Sequence, residues 1–249
     1  YGRKRRTAIE NAEEAVYEEK KMEEMEVCFL MDRFGYMKLI DKNAYERNKE
    51  AVHNENKYVF NCMNTDKICI FTDTGKMHTI KAVDIPLGRF RDKGTPVDNL
   101  SNYDSSQERM LYVAPVGQLR SDRLLFVTKT SMCKLVEGAE FDVAKRTIAS
   151  TKLADEDELI FIGSASEMEQ IVLQSHGGCF LRFLTQEVST MKKTALGVRG
   201  MKLADDDYLE HAYLLAGHQE YTISYHDKEY ALNKVRLAKR DTKGIKPRI

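Results

Sequence analysis

The residues with the clearest chemical pattern are lysines and arginines that recur at similar intervals along the chain. They follow each of five strand-turn-strand sequences and also lie between them, as in Arg89-Phe90-Arg91-Asp92-Lys93. Cationic side chains at equivalent places of a repeated structure would form a band that attracts phosphate groups without reading bases. The alternative is that they are simply the outward residues of strands whose other face is buried. Both interpretations remain open on composition alone.

The charge balance restricts any such binding to local patches. Lys plus Arg and Asp plus Glu each number 39, so the formal net charge is zero. Neutral overall charge argues against a generally basic nucleic-acid coat. Basic residues are nevertheless concentrated near the end of the chain, where residues 234–249 hold seven Lys or Arg against one Asp. We therefore expect basic and acidic side chains to occupy separate parts of the surface.

Sequence motifs of common catalytic and metal sites are absent. There is no G-x-x-x-x-G-K-[ST], no G-x-G-x-x-G after a strand, no G-x-S-x-G and no H-E-x-x-H. His211 and His218 are seven residues apart and make a weak metal candidate. The acidic runs 155–158 and 205–207 lack calcium-loop spacing, and we interpret them as solvated turn carboxylates. The sequence assigns no catalytic residue and no metal ligand.

Cysteine content and hydropathy bound the class of protein. The five cysteines are odd in number and contain no C-x-x-C pair, which predicts reduced, cytosolic core residues: Cys28, Cys62, Cys69, Cys133 and Cys179. Hydrophobic residues make up 42% of the chain, mean hydropathy is −0.50, and no apolar run approaches the ~18–20 residues of a membrane helix. We expect a globular domain with no membrane partner.

Residues 1–25 differ from the rest of the chain. Thr7 and Glu10 have capping-box spacing, and small apolar residues follow at helical intervals among many Glu and Lys. The chain opens at Tyr1, with the basic cluster 3–6 close behind. We predict a short helical or extended connector over 1–25, cut from a longer polypeptide, and a second unit over 26–249.

From Val27 onward, short apolar runs alternate with turn residues, as in strands. Five of these runs align through a shared turn: VCFLMDRFGYMKL (27–39), ICIFTDTGKMHTI (68–80), LLFVTKTSMCKL (124–135), IVLQSHGGCFLRF (171–183) and YTISYHDKEYAL (221–232). Gly35, Gly75 and Gly178 share the turn position, where a positive φ is expected. Ser131 and Lys228 stand there in the other two copies, and we expect different turns in those two.

A second landmark recurs between the hairpins and is followed each time by an acidic turn and another apolar strand. It lies at 93–100, 147–153, 197–203 and, in part, 243–246. Four strands per repeat follow, and about 225 residues at ~45–50 per repeat give about five repeats. The predicted fold is all-β and propeller-like, because no single blade can bury its apolar faces alone.

These residues resemble a known family. Cys69–Met77, Asp84-Ile85-Pro86, Gly197–Leu203 and Lys243–Lys246 are similar to repeats in the C-terminal domain of bacterial type IIA topoisomerase A subunits, those of topoisomerase IV and DNA gyrase. The opening Lys4-Arg5-Arg6-Thr7 resembles the exit from that family's breakage-reunion core.

The resemblance has several implications. It implies a β-pinwheel, a disc of about five four-stranded blades that exchange strands, whose basic perimeter binds and bends duplex DNA. The catalytic tyrosine would lie upstream, so this chain alone would be no enzyme. ATP and Mg would be used in other domains of the holoenzyme, the topoisomerase B subunit would bind through the rest of the A subunit, and the location would be cytoplasmic, at the nucleoid.

Topoisomerase IV is the preferred member. Gyrase carries a box similar to Q-R-R-G-G-K-G after the first hairpin, whereas residues 41–50 of this chain contain no glycine. Ile85-Pro86 followed by 89–94 resembles the matching stretch of Gram-positive topoisomerase IV. The alternative is the wrapping domain of the DNA gyrase A subunit.

The predicted phosphate contacts are the basic residues at the repeated positions. They are Lys38, Arg47, Lys49, Lys76, Lys81, Arg89, Arg91, Lys129, Lys134, Lys145, Arg146, Arg182, Lys192, Lys193, Lys234, Arg236, Lys239 and Arg240. A one-residue register slip would turn any of them to the opposite face. Two other classes compete with DNA binding: a propeller scaffold for protein partners, disfavoured by the absence of Trp, and an enzyme with a site in the central channel.

Overall fold

A computed structural model of the chain describes residues 23–217 and 219–247. Nearly all of the predicted connector, 1–25, lies outside the described residues, and the first strand begins at Glu26. Within the described ranges, no helix combines the length and apolar character needed to cross a membrane.

The described chain consists mainly of short strands, as its alternating runs predict. In chain order they are β1 (Glu26–Asp32), β2 (Tyr36–Asp41), β3 (Asn56–Met63), β4 (Lys67–Thr72), β5 (Lys76–Lys81), β6 (Thr95–Pro96), β7 (Met110–Pro115), β8 (Arg123–Thr128), β9 (Met132–Glu137), β10 (Thr147–Ala149), β11 (Leu159–Ser164), β12 (Gln170–Ser175), β13 (Phe180–Leu184), β14 (Val198–Arg199), β15 (Leu209–Leu215), β16 (Thr222–Tyr225) and β17 (Lys228–Ala231). The α-helices are α1 (Lys42–Glu55), α2 (Val97–Leu100) and α3 (Val116–Leu119). Short 3-10 turns lie at Ala82–Asp84, Gly138–Phe141, Thr185–Glu187 and Leu232–Lys234.

The strands form five antiparallel sheets, here called blades 1 to 5. Blades 1 to 3 have four strands, in the orders β3-β1-β2-β6, β10-β5-β4-β7 and β11-β8-β9-β14. Blade 4 has the order β13-β12-β15, and blade 5 is the hairpin β16-β17. An isolated bridge between Phe180 and Ile245 occupies the place of a fourth strand in blade 4. The all-β pinwheel prediction is confirmed, although only the first three blades have four strands in the described residues.

Neighbouring blades exchange strands. β6 lies between β5 and β7 in the chain, both of blade 2, yet pairs with β2 of blade 1. In the same way β10 joins blade 2 and β14 joins blade 3, although each is connected to the following blade. The strands β3, β7, β11 and β15 contact one another in succession. They therefore form the centre of the array, and β6, β10 and β14 form its perimeter.

The cores lie between blades. Phe29 packs with Ile70 between blades 1 and 2, whereas its chain neighbours Cys28 and Leu30 point to the opposite face of blade 1. Likewise Phe126 lies between blades 2 and 3, and its neighbour Leu125 lies between blades 3 and 4. This alternation is the two-residue period of a strand with both faces covered. Each buried side chain of this size contributes about 1.5–3 kcal/mol, so each blade depends on its neighbours.

Helix α1 covers the face of blade 1 that points away from blade 2. Ala44 and Val52 of α1 are buried against Cys28, Leu30 and Ile40. The helix begins after Asp41, whose carboxylate accepts the N–H of Ala44 at 2.8 Å. The sequence analysis did not predict this helix. It acts as the end cap that a stacked array requires.

The hairpin turns confirm one part of the sequence prediction and correct another. Gly35, Gly75 and Gly178 have φ values of 84°, 74° and 80°. Ser131 has a φ of 73° and its N–H bonds to Thr128 O, as in the glycine turns. The expectation of a different turn at Ser131 was therefore wrong; its buried hydroxyl accepts the Met201 N–H at 2.7 Å, which stabilises the strained backbone. The fifth turn does differ, because both His226 and Asp227 have positive φ.

The cysteines belong mainly to these cores. All five are free thiols, and all except the partly buried Cys179 are buried, as the sequence predicts. Burial raises the pKa of the Cys62, Cys69 and Cys133 thiols to about 12. They therefore stay protonated and unreactive at neutral pH.

Candidate nucleic-acid interface

Four segments carry the chain from the inner hairpin of one blade to the outer edge of the preceding blade. These crossing segments are residues 82–94, 138–146, 185–197 and 232–244. Three of them run parallel to a strand of the preceding blade, namely β2, β9 or β13. The contacts are the bridges Leu39–Leu87, Leu135–Thr190 and Arg182–Leu237. Backbone hydrogen bonds fix this contact, for example Leu39 N–H to Pro86 O at 3.0 Å. The crossing segments therefore lie on the perimeter of the array.

The crossing segments present exposed cations at four successive places. Of the predicted phosphate contacts, eight are exposed there: Arg89, Arg91, Lys145, Arg146, Lys192, Lys234, Arg236 and Lys239. The side chain of Lys192 is 81% exposed and lies 3.4 Å from the Glu140 carboxylate. The structure thus brings this subset of predicted residues onto one edge of the array. We call these eight residues the perimeter cations.

Lys134 does not belong to this edge. Its side chain is buried, and its ammonium group donates to Lys193 O at 2.8 Å and to Ala195 O at 2.6 Å. Burial lowers the pKa of Lys134 to about 8, against the opposing effect of Glu140. The predicted phosphate contact at Lys134 is therefore corrected: the residue fastens the third crossing segment to blade 3. Lysine recurs at this position in blades 1 and 3 because each of these blades holds a crossing segment there.

Lys38 is the equivalent residue of blade 1. Its ammonium group donates to Phe90 O and Asp92 O in the first crossing segment. Burial lowers its pKa, although Asp92 opposes that shift. Lys38 is partly accessible, and two of its three donors are used inside the fold, so the phosphate contact at Lys38 stays a prediction.

His78 holds the same position in blade 2 and forms part of a buried network. Its Nδ1 lies 3.0 Å from Thr147 Oγ1 at the start of β10, and its Nε2 lies 2.9 Å from Glu108 Oε1. Thr72 also donates to Glu108, at 2.8 Å. Although burial acts to raise the pKa of Glu108, the hydrogen bonds from Thr72 and His78 hold it below its usual value. Beyond the shared repeat position, no feature of the sequence pointed to this network.

Four further predicted residues are half-buried and already paired. Lys129 contacts Glu158 at 3.1 Å, and Arg182 donates to Gln170 at 3.0 Å. Lys193 Nζ donates to Glu140 O at 3.1 Å, and Arg240 Nε donates to Glu187 O at 3.0 Å. Their donors are therefore partly used by the fold.

The remaining predicted residues are exposed but lie elsewhere. Arg47 and Lys49 are on α1, at the end of the array. Lys76 and Lys81 are at opposite ends of β5, a separation of roughly 16 Å at the rise of a strand. The structure therefore does not place these two residues at one point. Sequence reasoning left out one exposed cation of the first crossing segment, Lys93, whose Nζ lies 4.5 Å from the centre of the Tyr36 ring.

The acidic turns lie beside the hairpin turns. Asp157 accepts the Thr130 N–H and hydroxyl at 3.1 and 2.6 Å, and Asp207 accepts the Gly177 N–H at 2.9 Å. Against the effect of burial, hydrogen bonds from Gly177 and Ser175 lower the pKa of Asp207. Asp157 and Asp207 therefore stabilise turns, while their neighbours 155–156 and 205–206 are exposed as expected. In the described residues, no group of three His, Cys, Asp or Glu is arranged to hold a metal ion.

Comparison with solved structures supports the same fold. The chain superposes on the C-terminal domain of DNA topoisomerase IV with a TM-score of 0.77 and 22% identity, covering 90% of this chain and 73% of that one. It superposes on the E. coli ParC C-terminal domain with a TM-score of 0.70 and 15% identity, covering 90% and 94%. For a DNA gyrase A C-terminal domain the values are 0.59 and 18%, covering 89% and 76%.

Sequence comparison points to the same group of proteins. The DNA gyrase A subunit of Clostridium acetobutylicum is 29% identical over 80% of this chain and 25% of its own length, and that of Ureaplasma parvum is 25% identical over 88% and 28%. The chain thus spans about a quarter of the length of these relatives. The sequence profile described as "DNA gyrase C-terminal domain, beta-propeller" matches residues 66–105, 122–166 and 169–216, more than half of the chain. The residues that the profile matches are those in which successive blades and exchanged strands are observed. The chain therefore belongs to the DNA gyrase C-terminal domain family.

Proposed function

We propose that this chain is a non-catalytic DNA-binding and DNA-bending domain of a type IIA topoisomerase A subunit. The observation that carries the proposal is the set of perimeter cations, which four crossing segments present along one edge. Such cations contact phosphates and release counterions without reading bases, so binding tolerates any sequence. The buried Lys134 and the paired Lys129 are not required for it.

The repetition of the perimeter cations favours bending. Double-stranded DNA is stiff over about 150 base pairs, so a straight duplex would touch only a small part of a convex edge. Contact with successive blades requires the duplex to follow that edge. Bending a short site by 40–90° costs on the order of 1–6 kcal/mol, which several added phosphate contacts offset.

The remaining activities are assigned to other parts of the holoenzyme. The strand-cleaving tyrosine would lie upstream in the A subunit, and ATP and Mg would act in other domains. The B subunit would bind through the rest of the A subunit. The proposed setting is the bacterial cytoplasm, at the nucleoid.

Within this class, the proposal favours a topoisomerase IV-like role. The stretch after the first hairpin forms α1, and it contains no glycine pair of the kind that the gyrase box has. Because α1 packs on the outer face of blade 1, we expect DNA to be bent along the perimeter without a full wrap. The second candidate is a gyrase-type wrapping domain, favoured by the family profile.

Two linked measurements test the proposal. Binding of the chain to short and long linear duplexes should weaken steeply with salt, the logarithm of affinity falling by about 0.9 per phosphate contact for each tenfold rise in salt. A nicked circle religated with the chain bound then reports bending against wrapping. Salt-dependent binding with little topoisomer shift is the expected result. A large linking-number shift would favour the gyrase-type role, and no duplex binding would favour a protein scaffold.

A further inference from the structure

The end of the array at blade 1 exposes a strand face that a neighbouring blade covers elsewhere. On β2, Met37 and Leu39 pack toward blade 2, so Tyr36 and Lys38 face the opposite way. Helix α1 covers this face around Ile40. Near the first hairpin turn, Tyr36 remains half-exposed, and Phe34 is 72% exposed. Phe34 is the most exposed large apolar side chain in the described residues.

Three aromatic rings at this end each lie next to a cation. The Arg33 guanidinium carbon lies 4.8 Å from the centre of the Phe34 ring. Lys93 lies 4.5 Å from the Tyr36 ring, and Lys38 lies 5.4 Å from the Phe90 ring. Half of the six cation–aromatic contacts found in the described residues therefore belong to one blade edge. A single exposed Phe would need no explanation, but this concentration does.

The turn that carries Phe34 is rigidly held. The Asp32 carboxylate accepts the N–H groups of Phe34 and Tyr36 at 2.8 and 3.0 Å, and the Gly35 N–H bonds to Asp32 O at 3.2 Å. The nearby Asp92 carboxylate is likewise occupied, by the Arg89 N–H at 2.7 Å. The Asp32 and Asp92 carboxylates are thus used by backbone donors, while the exposed Glu55 at the end of α1 also acts on Lys38. The ring is presented at little further entropic cost.

We propose that this end of blade 1 is a stacking platform for unpaired DNA bases, with Phe34 as the stacking ring and Arg33 and Lys93 as the adjoining phosphate contacts. Aromatic rings interleaved with cations are the usual means of binding single strands, because every base has a π-face. A duplex hides its base faces, so perimeter contacts with duplex phosphates do not use Phe34. The ligand class is therefore single-stranded or locally unstacked DNA, separate from the duplex of the proposed function.

The test uses the whole chain, a 15-nucleotide oligo-dT carrying one internal 2-aminopurine, and a 15-base-pair duplex. Binding of the oligonucleotide should quench 2-aminopurine, and Phe34→Ala should weaken that binding about 5- to 150-fold, the range of one lost base stack. Phe34→Leu keeps an apolar side chain without a π-face and should lose as much. Met63→Ala removes another exposed apolar side chain, 38% exposed at the end of β3 and off the crossing segments, and should change neither affinity.

Each contrary result has a distinct meaning. Full single-strand affinity in Phe34→Leu would show an apolar docking contact, as for a protein partner, and would overturn base stacking. Equal losses for duplex and single strand in Phe34→Ala would place Phe34 in the duplex surface and overturn the separate site. Duplex binding without oligo-dT binding would reject the platform and leave the proposed function intact, whereas failure of both would reject both.

Discussion

Replacing Lys134 by Met should loosen the third crossing segment while leaving DNA contacts in place. The side chain lengths are similar, so the main loss is the ammonium group that donates to Lys193 O and Ala195 O at 2.8 and 2.6 Å. A buried acceptor left without a donor costs about 1–3 kcal/mol. Ala195 O loses the Lys134 donor, whereas Lys193 O still accepts the Lys152 N–H at 3.1 Å. One such loss, partly offset because a buried charge is also removed, predicts a net destabilisation of about 1–3 kcal/mol.

The pH dependence of the Lys134→Met effect adds a signed prediction. Burial lowers the pKa of Lys134 to about 8, whereas an unfolded lysine titrates near ~10.4. Between these values the unfolded state binds more protons, so this residue's contribution to folding stability increases with pH. The stability of the wild-type chain relative to Lys134→Met should therefore increase from about pH 8 to about pH 10.

Urea unfolding and amide hydrogen exchange measure both effects. Exchange of the Met191 amide, which bonds to Leu135 O at 2.7 Å in the same crossing segment, should accelerate in Lys134→Met. The control Lys192→Met changes a side chain that is 81% exposed and should shift stability by less than about 0.5 kcal/mol. Two results would refute the assignment of Lys134 as an internal fastener. One is equal stability of Lys134→Met and Lys192→Met, and the other is a stability difference between wild type and Lys134→Met that shrinks as pH rises.

Three other perturbations test the fold. Glu108→Gln should make folding stability depend less on pH in the acid range. Because the pKa of Glu108 is lowered in the folded chain, its charge adds stability above the unfolded pKa of ~4.3, and this stability is lost as pH falls through the folded pKa. Urea midpoints from pH 3 to 7 measure the difference. Gly197→Ala should destabilise by at least ~1–3 kcal/mol, because φ is 107° and a Cβ would lie 2.6 Å from Cys133 O; unchanged thermal unfolding would contradict that geometry. Val52→Ala should cost about 1–3 kcal/mol and speed exchange in α1 and blade 1 before blade 3; uniform acceleration would argue against α1 as a local cap.

Features with local sequence signals were predictable. Five hairpins followed from short apolar runs that align through a turn residue, and the glycines at 35, 75 and 178 do adopt positive φ. Ser131 shows the limit of that reasoning, because a hydrogen bond to its hydroxyl from Met201, seventy positions away, supports a conformation that composition argues against. The exchanged strands β6 and β14 are two residues long, too short for any periodicity. The recurring landmark marked their places, but their exchange between blades was expected only through family resemblance.

The candidate site was predictable only in part, because burial depends on register. Lys134 and Lys192 are the same residue type, yet one is buried and the other is exposed at the perimeter. On a strand, one position separates a core face from a solvent face. Helix α1 escaped prediction because only Ala44 and Val52 of its residues are buried, and the reason for its presence, an uncovered blade face, is tertiary.

The central claim is that the crossing segments bind duplex DNA through their exposed cations. The most direct measurement compares duplex affinity across a salt series for wild type, Arg89→Glu/Arg91→Glu and the control Lys57→Glu/Arg123→Glu. All four residues are exposed, the control pair lies on β3 and β8 off the crossing segments, and both variants change the net charge equally. We predict a loss of about 10- to 100-fold and a salt slope shallower by about 1.8 for the perimeter pair, with little change in the control. Equal losses in both variants, or none in the perimeter pair, would contradict the claim.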